Sequence, residues 1–135
     1  MAELHINSGL VRLDIIRDGE NVGVFKFNPK DVGEAQRFGN VVAEMEAKRK
    51  EYTKKASEAD ASGNAKARVD FMVEFIKFLR NSIDGIYGVG TSELVFGKTL
   101  DIDMFFDFMQ GIAPYYKNAS TERTAKYKNK ASKKS

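Results

Sequence analysis

The sequence predicts an α+β fold that is mainly helical: an N-terminal β-hairpin packed on a bundle of three to four helices that includes a long antiparallel αα-hairpin. Residues 10–27 alternate apolar and polar side chains around Asp18-Gly19, a dipeptide that favours a two-residue hairpin turn. Residues 28–60 and 65–87 carry apolar side chains at a 3–4 residue spacing, which indicates two amphipathic helices. The short polar break between them predicts that the helices fold back on each other.

The hairpin is the first predicted element. Val11, Leu13 and Ile15 alternate with polar residues, and residues 24–27 supply an apolar return strand. A third short strand over Leu4–Ile6 could join them. One hairpin alone is marginal in water, so helices or a partner must cover it.

The first long helix follows directly. Asn28-Pro29 predicts its start, with Asn28 as the N-cap and Pro29 in the first helical position. Its apolar seam is dense up to Arg49 and thin from there to about residue 60, although Tyr52 and two alanines keep the spacing. We therefore expect the second half to project or to pair with another chain, giving a homo-oligomer.

A second helix is predicted from about residue 65 to 87, and a short helical turn near 92–96 should follow it. A third helix is predicted at 101–111, and Pro114 should start a fourth. These elements predict one α-rich domain at 1–116, followed by a basic helix or tail at 117–135 that is partly disordered. The side chains predicted to point inward from the second helix are Val69, Met72, Phe75, Ile76, Leu79, Ile83 and Ile86.

Charge is divided unevenly along the chain. Residues 117–135 carry seven Lys or Arg and one Glu, a net +6, whereas residues 1–116 carry 15 basic and 18 acidic side chains, a net −3. The chain has no cysteine, which excludes disulfides and thiolate chemistry. Its apolar runs are too short to span a membrane, so we expect a protein of the cytoplasm.

Sequence motifs for catalysis or cofactor binding are weak. Gly97-Lys98-Thr99 lacks the earlier glycine of a phosphate-binding loop, because Ser92 stands in that position. Asp101, Asp103 and Asp107 suit a helix N-terminus better than a calcium loop. His5 is the only histidine, so no multi-histidine metal site can form. We expect no enzyme, no cofactor and no metal.

The basic C-terminal end offers a different class of function. Lys126, Lys128, Lys130, Lys133 and Lys134 surround Tyr127, and such side chains can contact phosphates. The mildly acidic remainder of the chain provides no second basic patch. Nucleic-acid binding is therefore an alternative that we do not favour.

The segment 83–116 is the most distinctive part of the chain, since it is rich in glycine and phenylalanine and places apolar side chains on one helical face. It resembles a family of small phage and prophage proteins of Gram-positive hosts, and the likeness extends over about residues 10–117. The residues that carry it are Phe25-Lys26-Phe27-Asn28-Pro29, Phe38, Ile83-Asp84-x-Ile86-x-Gly88-x-Gly90-Thr91-Ser92-x-x-Val95-Phe96-Gly97 and Met104-Phe105-x-x-Phe108-x-x-Gly111-Ile112-x-Pro114-Tyr115.

Proteins of this kind look like tail assembly chaperones of long-tailed phages (siphophages). The resemblance implies a non-enzymatic protein that binds the tape-measure protein, and possible contact with the tail tube protein, during tail morphogenesis in the host cytoplasm. A connector or tail subunit that stays in the virion is the alternative within the same setting. The side chains we expect to bind the partner, or otherwise to be core, are Val95, Phe96, Met104, Phe105, Phe108, Met109 and Ile112.

Overall fold

The computed structural model describes the backbone of residues 1–133 and the side chains of residues 1–128. Two strands are followed by four helices, so the predicted α+β, mainly helical fold is confirmed. The predicted contacts of Lys130, Lys133 and Lys134 lie outside the described side chains. The elements are β1 (Val11–Arg17), β2 (Glu20–Phe27), α1 (Val32–Ala61), α2 (Ala65–Tyr87), α3 (Thr91–Phe96) and α4 (Ile102–Lys133).

The hairpin turns where the sequence predicted. Asp18 and Gly19 both have positive φ, 53° and 81°, as a type I′ turn requires. Ile15 pairs with Gly23 while Ile16 pairs with Asn21, so Val22 is the extra residue of a β-bulge. A Cβ on Gly23 would lie 2.6 Å from Leu94 Cδ1, so this glycine lets α3 approach the sheet closely.

Helix α1 begins later than predicted. Asp31, not Asn28, is the N-cap, and its side chain accepts hydrogen bonds from the backbone N–H groups of Gly33 and Glu34. Asn28 starts a turn instead, because its carbonyl accepts from the Asp31 N–H at 3.1 Å. The Asn-Pro signal therefore marks the entry turn that precedes the helix.

Helices α1 and α2 form the predicted antiparallel hairpin. Gly63 provides the left-handed residue between them, with φ 72°, and Asn64 caps α2 by accepting from the Ala67 N–H. Tyr52 of α1 stacks on Phe75 of α2 with ring centroids 5.9 Å apart, which shows that the thin half of α1 packs on α2.

Two sequence predictions about this hairpin are wrong. Val69 was expected to point inward but is 61% exposed. Ala56 and Ala59 were expected to form an unpaired stripe but are buried. Their small side chains let α2 lie close to α1, so this stripe is covered within one copy and does not support self-association.

Helix α3 is held at both ends by neighbouring elements. The Asp84 carboxylate on α2 accepts from the Ser92 N–H at 2.8 Å and from its hydroxyl at 3.1 Å. At the other end Arg17 donates to the Leu94 carbonyl, and Arg80 donates to the carbonyls of Gly97 and Thr99.

Helix α4 is one element, whereas the sequence predicted two helices separated near Pro114. Pro114 lies inside the helix, although its ring removes one backbone hydrogen bond. Buried side chains on both sides of it, Ile112 and Tyr116, attach both halves to the same core. The predicted boundary between residues 116 and 117 consequently falls within a helix.

The core lies between the inner face of the hairpin and the helices. Phe25 packs edge-on against Phe108 with ring centroids 5.2 Å apart, and Phe38 stacks on Tyr116 at 4.4 Å. The predicted third strand is absent: residues 1–10 adopt no regular structure. Among the described residues, no helix has the length and apolar character needed to cross a bilayer.

Candidate partner-binding site

Most of the side chains predicted to bind a partner lie in the core. Met104 is half-buried, while the others are at most 9% exposed. Phe96 and Phe105 contact each other with ring centroids 4.1 Å apart, because α3 and the first turns of α4 pack beneath the hairpin. The buried members are Val95, Phe96, Phe105, Phe108, Met109 and Ile112.

Part of this set nevertheless borders an open groove beside β1, which we call the strand groove. Its walls are the last residues of β1 and the start of α4, and the exposed Ile16 lies at its rim. Four residues of the predicted set line it: Val95, Phe96, Met104 and Phe108.

A second groove, which we call the hairpin groove, runs between α1 and α2. Two adjoining depressions form it, and both are bordered by Lys48, Glu51 and Phe78. It follows α1 from residue 44 to residue 55, which is about 16 Å of helix. That length corresponds to about three helical turns. Its lining residues are Glu44, Ala47, Lys48, Glu51, Tyr52, Lys55, Phe71, Glu74, Phe75 and Phe78.

Aromatic rings make the floor of the hairpin groove. Phe71, Phe75 and Phe78 recur at the 4–3 spacing that places them on one face of α2. Phe75 is buried, whereas Phe71 and Phe78 are half-buried, so their rings remain in part accessible. Rings at a helical spacing suit the packing of another amphipathic helix.

Charged side chains frame these rings. Lys48 Nζ lies 5.5 Å from the centre of the Phe78 ring, and Lys55 Nζ lies 5.2 Å from that of Phe71. Both ammonium groups are near the Glu51 carboxylate, at 3.7 Å and 3.1 Å. The hydrogen bond from Lys55 and the charge of Lys48 lower the pKa of Glu51. A partner helix with acidic residues beside its apolar stripe would compete with Glu51 for the two lysines.

A buried polar network joins α1, α2 and α4. The Tyr116 hydroxyl donates to Glu34 Oε1 at 2.9 Å and lies 2.7 Å from the Tyr87 hydroxyl. The other carboxylate oxygen of Glu34 accepts from the Asn28 N–H at 2.9 Å. Burial raises the pKa of both tyrosines above their ordinary value. Each polar atom has a partner, so the network is a structural clamp.

The structure also shows the surroundings of the aspartate-rich helix start and of the basic segment that the sequence analysis considered. Asp101 Oδ1 accepts from the Asp103 N–H at 2.9 Å, which is the helix-start role that the sequence favoured over a cation loop. Within the described residues no group of three or more potential ligands could hold a metal ion. On the basic segment, Arg123 donates to the Lys30 carbonyl at 3.2 Å, so this guanidinium ties α4 to the entry turn of α1.

Comparison with known families gives one result. Residues 20–135 match a family of unknown function, DUF6673, and that span is most of the chain. The chain belongs to the DUF6673 family. The DUF6673 match contains β2 and all four helices, and therefore the whole of the hairpin groove. No curated protein and no solved structure matches the chain.

Sequence reasoning missed the hairpin groove in this DUF6673 protein for an identifiable reason. It assigned one inward stripe to α2, containing Phe75 but neither Phe71 nor Phe78. The second stripe, Phe71-Phe75-Phe78, was visible at the same 4–3 spacing. Only the packing of α1 beside it shows which rings stay accessible.

Proposed function

We propose that this protein is a non-enzymatic phage tail assembly chaperone that binds helical segments of the tape-measure protein in the hairpin groove. The groove's aromatic floor carries the proposal: the half-buried rings of Phe71 and Phe78 lie two helical turns apart and have lysines above them. The resemblance of residues 10–117 to tail assembly chaperones supports the choice of partner.

The groove chemistry fits a client that exposes a long amphipathic helix. Burying its apolar stripe on the rings would remove that stripe from water, which is how a chaperone keeps such a segment from aggregating. Lys48 and Lys55 would orient the client through its acidic side chains. Because both lysines are roughly half exposed, they contribute more to orientation than to affinity.

Co-purification with the tape-measure protein of the same phage tests the proposal. In the Phe71→Ala/Phe78→Ala double variant, affinity should fall at least tenfold, because both rings of the floor are removed. Val69→Ala is the matched control, since Val69 lies on the same helix but is 61% exposed and does not line the groove.

Charge reversal provides a second test that leaves the core intact. Lys48→Glu/Lys55→Glu should weaken binding, whereas Lys50→Glu/Lys54→Glu, the same change at exposed positions of α1 off the groove, should not. The hairpin groove would be ruled out as the binding site by two results together. Both charge-reversed variants would bind with equal affinity, and the folded double alanine variant would bind as tightly as the wild type.

Mass spectrometry of purified particles separates the chaperone from the virion subunit. A chaperone should be absent from particles and present with the tape-measure protein in the lysate. Many copies per particle would favour the structural subunit instead.

Salt-dependent gel shifts that require residues 117–135 would favour the nucleic-acid alternative.

A further inference from the structure

We propose that the N-terminal segment of one copy adds as a strand to the free edge of β1 in a second copy. Residues 2–7 read Ala-Glu-Leu-His-Ile-Asn, a strict alternation of apolar and polar side chains. Such alternation is typical of a half-buried β-strand, yet these residues form no strand in their own chain. The pattern is therefore one that the fold of a single copy does not use.

The apolar side chains of this segment are turned to solvent. Leu4 is 85% exposed and Ile6 is 81% exposed. His5 Nε2 lies 3.0 Å from Glu3 Oε2, which places the polar side chains of positions 3 and 5 on one side, as in a strand. Leu4 and Ile6 then share the opposite side and are available to a partner.

A matching edge exists on the same molecule. The sheet contains only β1 and β2 in the described part of the chain, so the outer edge of β1 has no strand beside it. The strand groove borders the second half of β1, from Asp14 to Arg17, with Ile15, Phe96 and Met104 among its lining residues. An unpaired edge beside an apolar groove can accept an added strand.

Charge complementarity selects the alignment. The donor can lie parallel to β1 with Leu4 beside Leu13 and Ile6 beside Ile15. In this register Glu3 is next to Arg12, and His5 is next to Asp14. Neither Arg12 nor Asp14 forms an ion pair with another described side chain. The antiparallel alignment that places Leu4 beside Ile15 keeps the His5 contact but places Glu3 beside Ile16. Opposite charges on neighbouring strands favour the parallel alignment.

The donor must come from a second copy. Parallel strands need a long crossover connection, whereas only residues 8–10 separate the segment from β1. In addition, the Ser8 carbonyl accepts from Asn28 Nδ2 at 3.0 Å, which holds this part of the chain beside the end of β2. The segment therefore cannot lie parallel to β1 along the free edge of its own chain.

Engineered cysteines test the pairing directly, because the chain has none of its own. A mixture of His5→Cys protein and Asp14→Cys protein should form a cross-linked heterodimer with a short bifunctional maleimide. His5→Cys mixed with Asp70→Cys, an exposed site on α2, is the matched control. Equal cross-linking in both mixtures, or none in the first, would overturn the proposal.

Light scattering of the full chain supplies the second readout. The wild-type mass should rise with concentration, and Leu4→Asp/Ile6→Asp should weaken association at least tenfold without changing the melting temperature, since both side chains are exposed in the single copy. Val89→Asp, at a side chain that is 100% exposed, should associate like the wild type. A wild type that stays monomeric, or a Leu4/Ile6 variant that associates normally, contradicts the proposal. None of these outcomes depends on tape-measure binding.

Discussion

At the residue scale, the Glu34–Tyr116–Tyr87 network makes the sharpest stability prediction. Tyr116→Phe removes the hydroxyl that donates to Glu34 at 2.9 Å and leaves a buried carboxylate oxygen without its donor. Urea unfolding should show a loss of about 1–3 kcal/mol. Tyr115→Phe, a neighbouring ring that is 38% exposed, is the control and should change stability by less than about 0.5 kcal/mol. Equal losses in both variants would show that the hydrogen bond contributes nothing.

The same tyrosines predict how stability responds to alkali. Burial raises the pKa of Tyr87 and Tyr116, so the folded chain retains protons that the unfolded chain releases above about pH 10. The two tyrosines therefore make their full contribution to the free energy of unfolding below that pH. This contribution is lost progressively as the pH rises above it. Unfolding midpoints measured from pH 8 to 11 should fall more steeply for the wild type than for Tyr116→Phe. Parallel curves would contradict this.

Single residues also show what the sequence could and could not reveal. The capping role of Asp31 was readable, because Asp31 and Glu34 have the spacing of a capping box. The contact between Glu34 and Tyr116 joins residues 82 positions apart, and no local pattern encodes such a pair. Asp84 is one of the residues that carry the family resemblance, yet only the packed structure shows that it accepts hydrogen bonds from Ser92.

At the element scale, the contact between the hairpin and α3 depends on Gly23. Gly23→Ala would place a methyl group 2.6 Å from Leu94 Cδ1 on a backbone with φ +147°, so we expect a destabilisation of about 1–3 kcal/mol. In a double-mutant cycle, Leu94→Ala should remove the steric part of the destabilisation caused by Gly23→Ala and leave the part that comes from backbone strain. If the stability losses of the two single variants simply add in the double variant, the methyl group added at position 23 does not contact Leu94.

The continuity of α4 gives a second prediction at this scale. Because Pro114 lies inside one helix, Pro114→Ala restores a backbone N–H and should stabilise the protein by about 1–3 kcal/mol. Gly111→Ala, whose added methyl meets nothing within 4 Å, should add about 1 kcal/mol. Thermal melting followed by circular dichroism measures both. A lower melting temperature for Pro114→Ala would indicate that the proline marks a real junction.

Element boundaries were predicted well where local chemistry decides them and poorly where packing does. The Asp18-Gly19 turn and the break near Gly63 follow from backbone conformations that glycine adopts easily. Pro114 and Asn28-Pro29 were interpreted by local rules too, but the core around α4 and the cap at Asp31 override them. At Pro114 tertiary contacts outweigh the local signal, whereas at Asn28-Pro29 a second local signal, the Asp31 cap, prevails.

At the scale of the whole molecule, the fold was predictable and the candidate site was not. Periodicity fixes which stripe of each helix is apolar, and short connections fix which elements are neighbours. Whether an apolar side chain is covered depends on every neighbour at once. For that reason Phe105 and Met109 became core, while Phe78, which no sequence argument selected, borders a groove.

Chemical-shift mapping tests tape-measure binding in the hairpin groove most directly, since a chain of 15.1 kDa suits residue-resolved NMR. Titration with a helical segment of the tape-measure protein should shift signals of Lys48, Tyr52, Lys55, Phe71 and Phe78 and leave β1 unchanged. A titration that shifts only residues 117–128 or the strand groove, or that shifts nothing, would contradict the account.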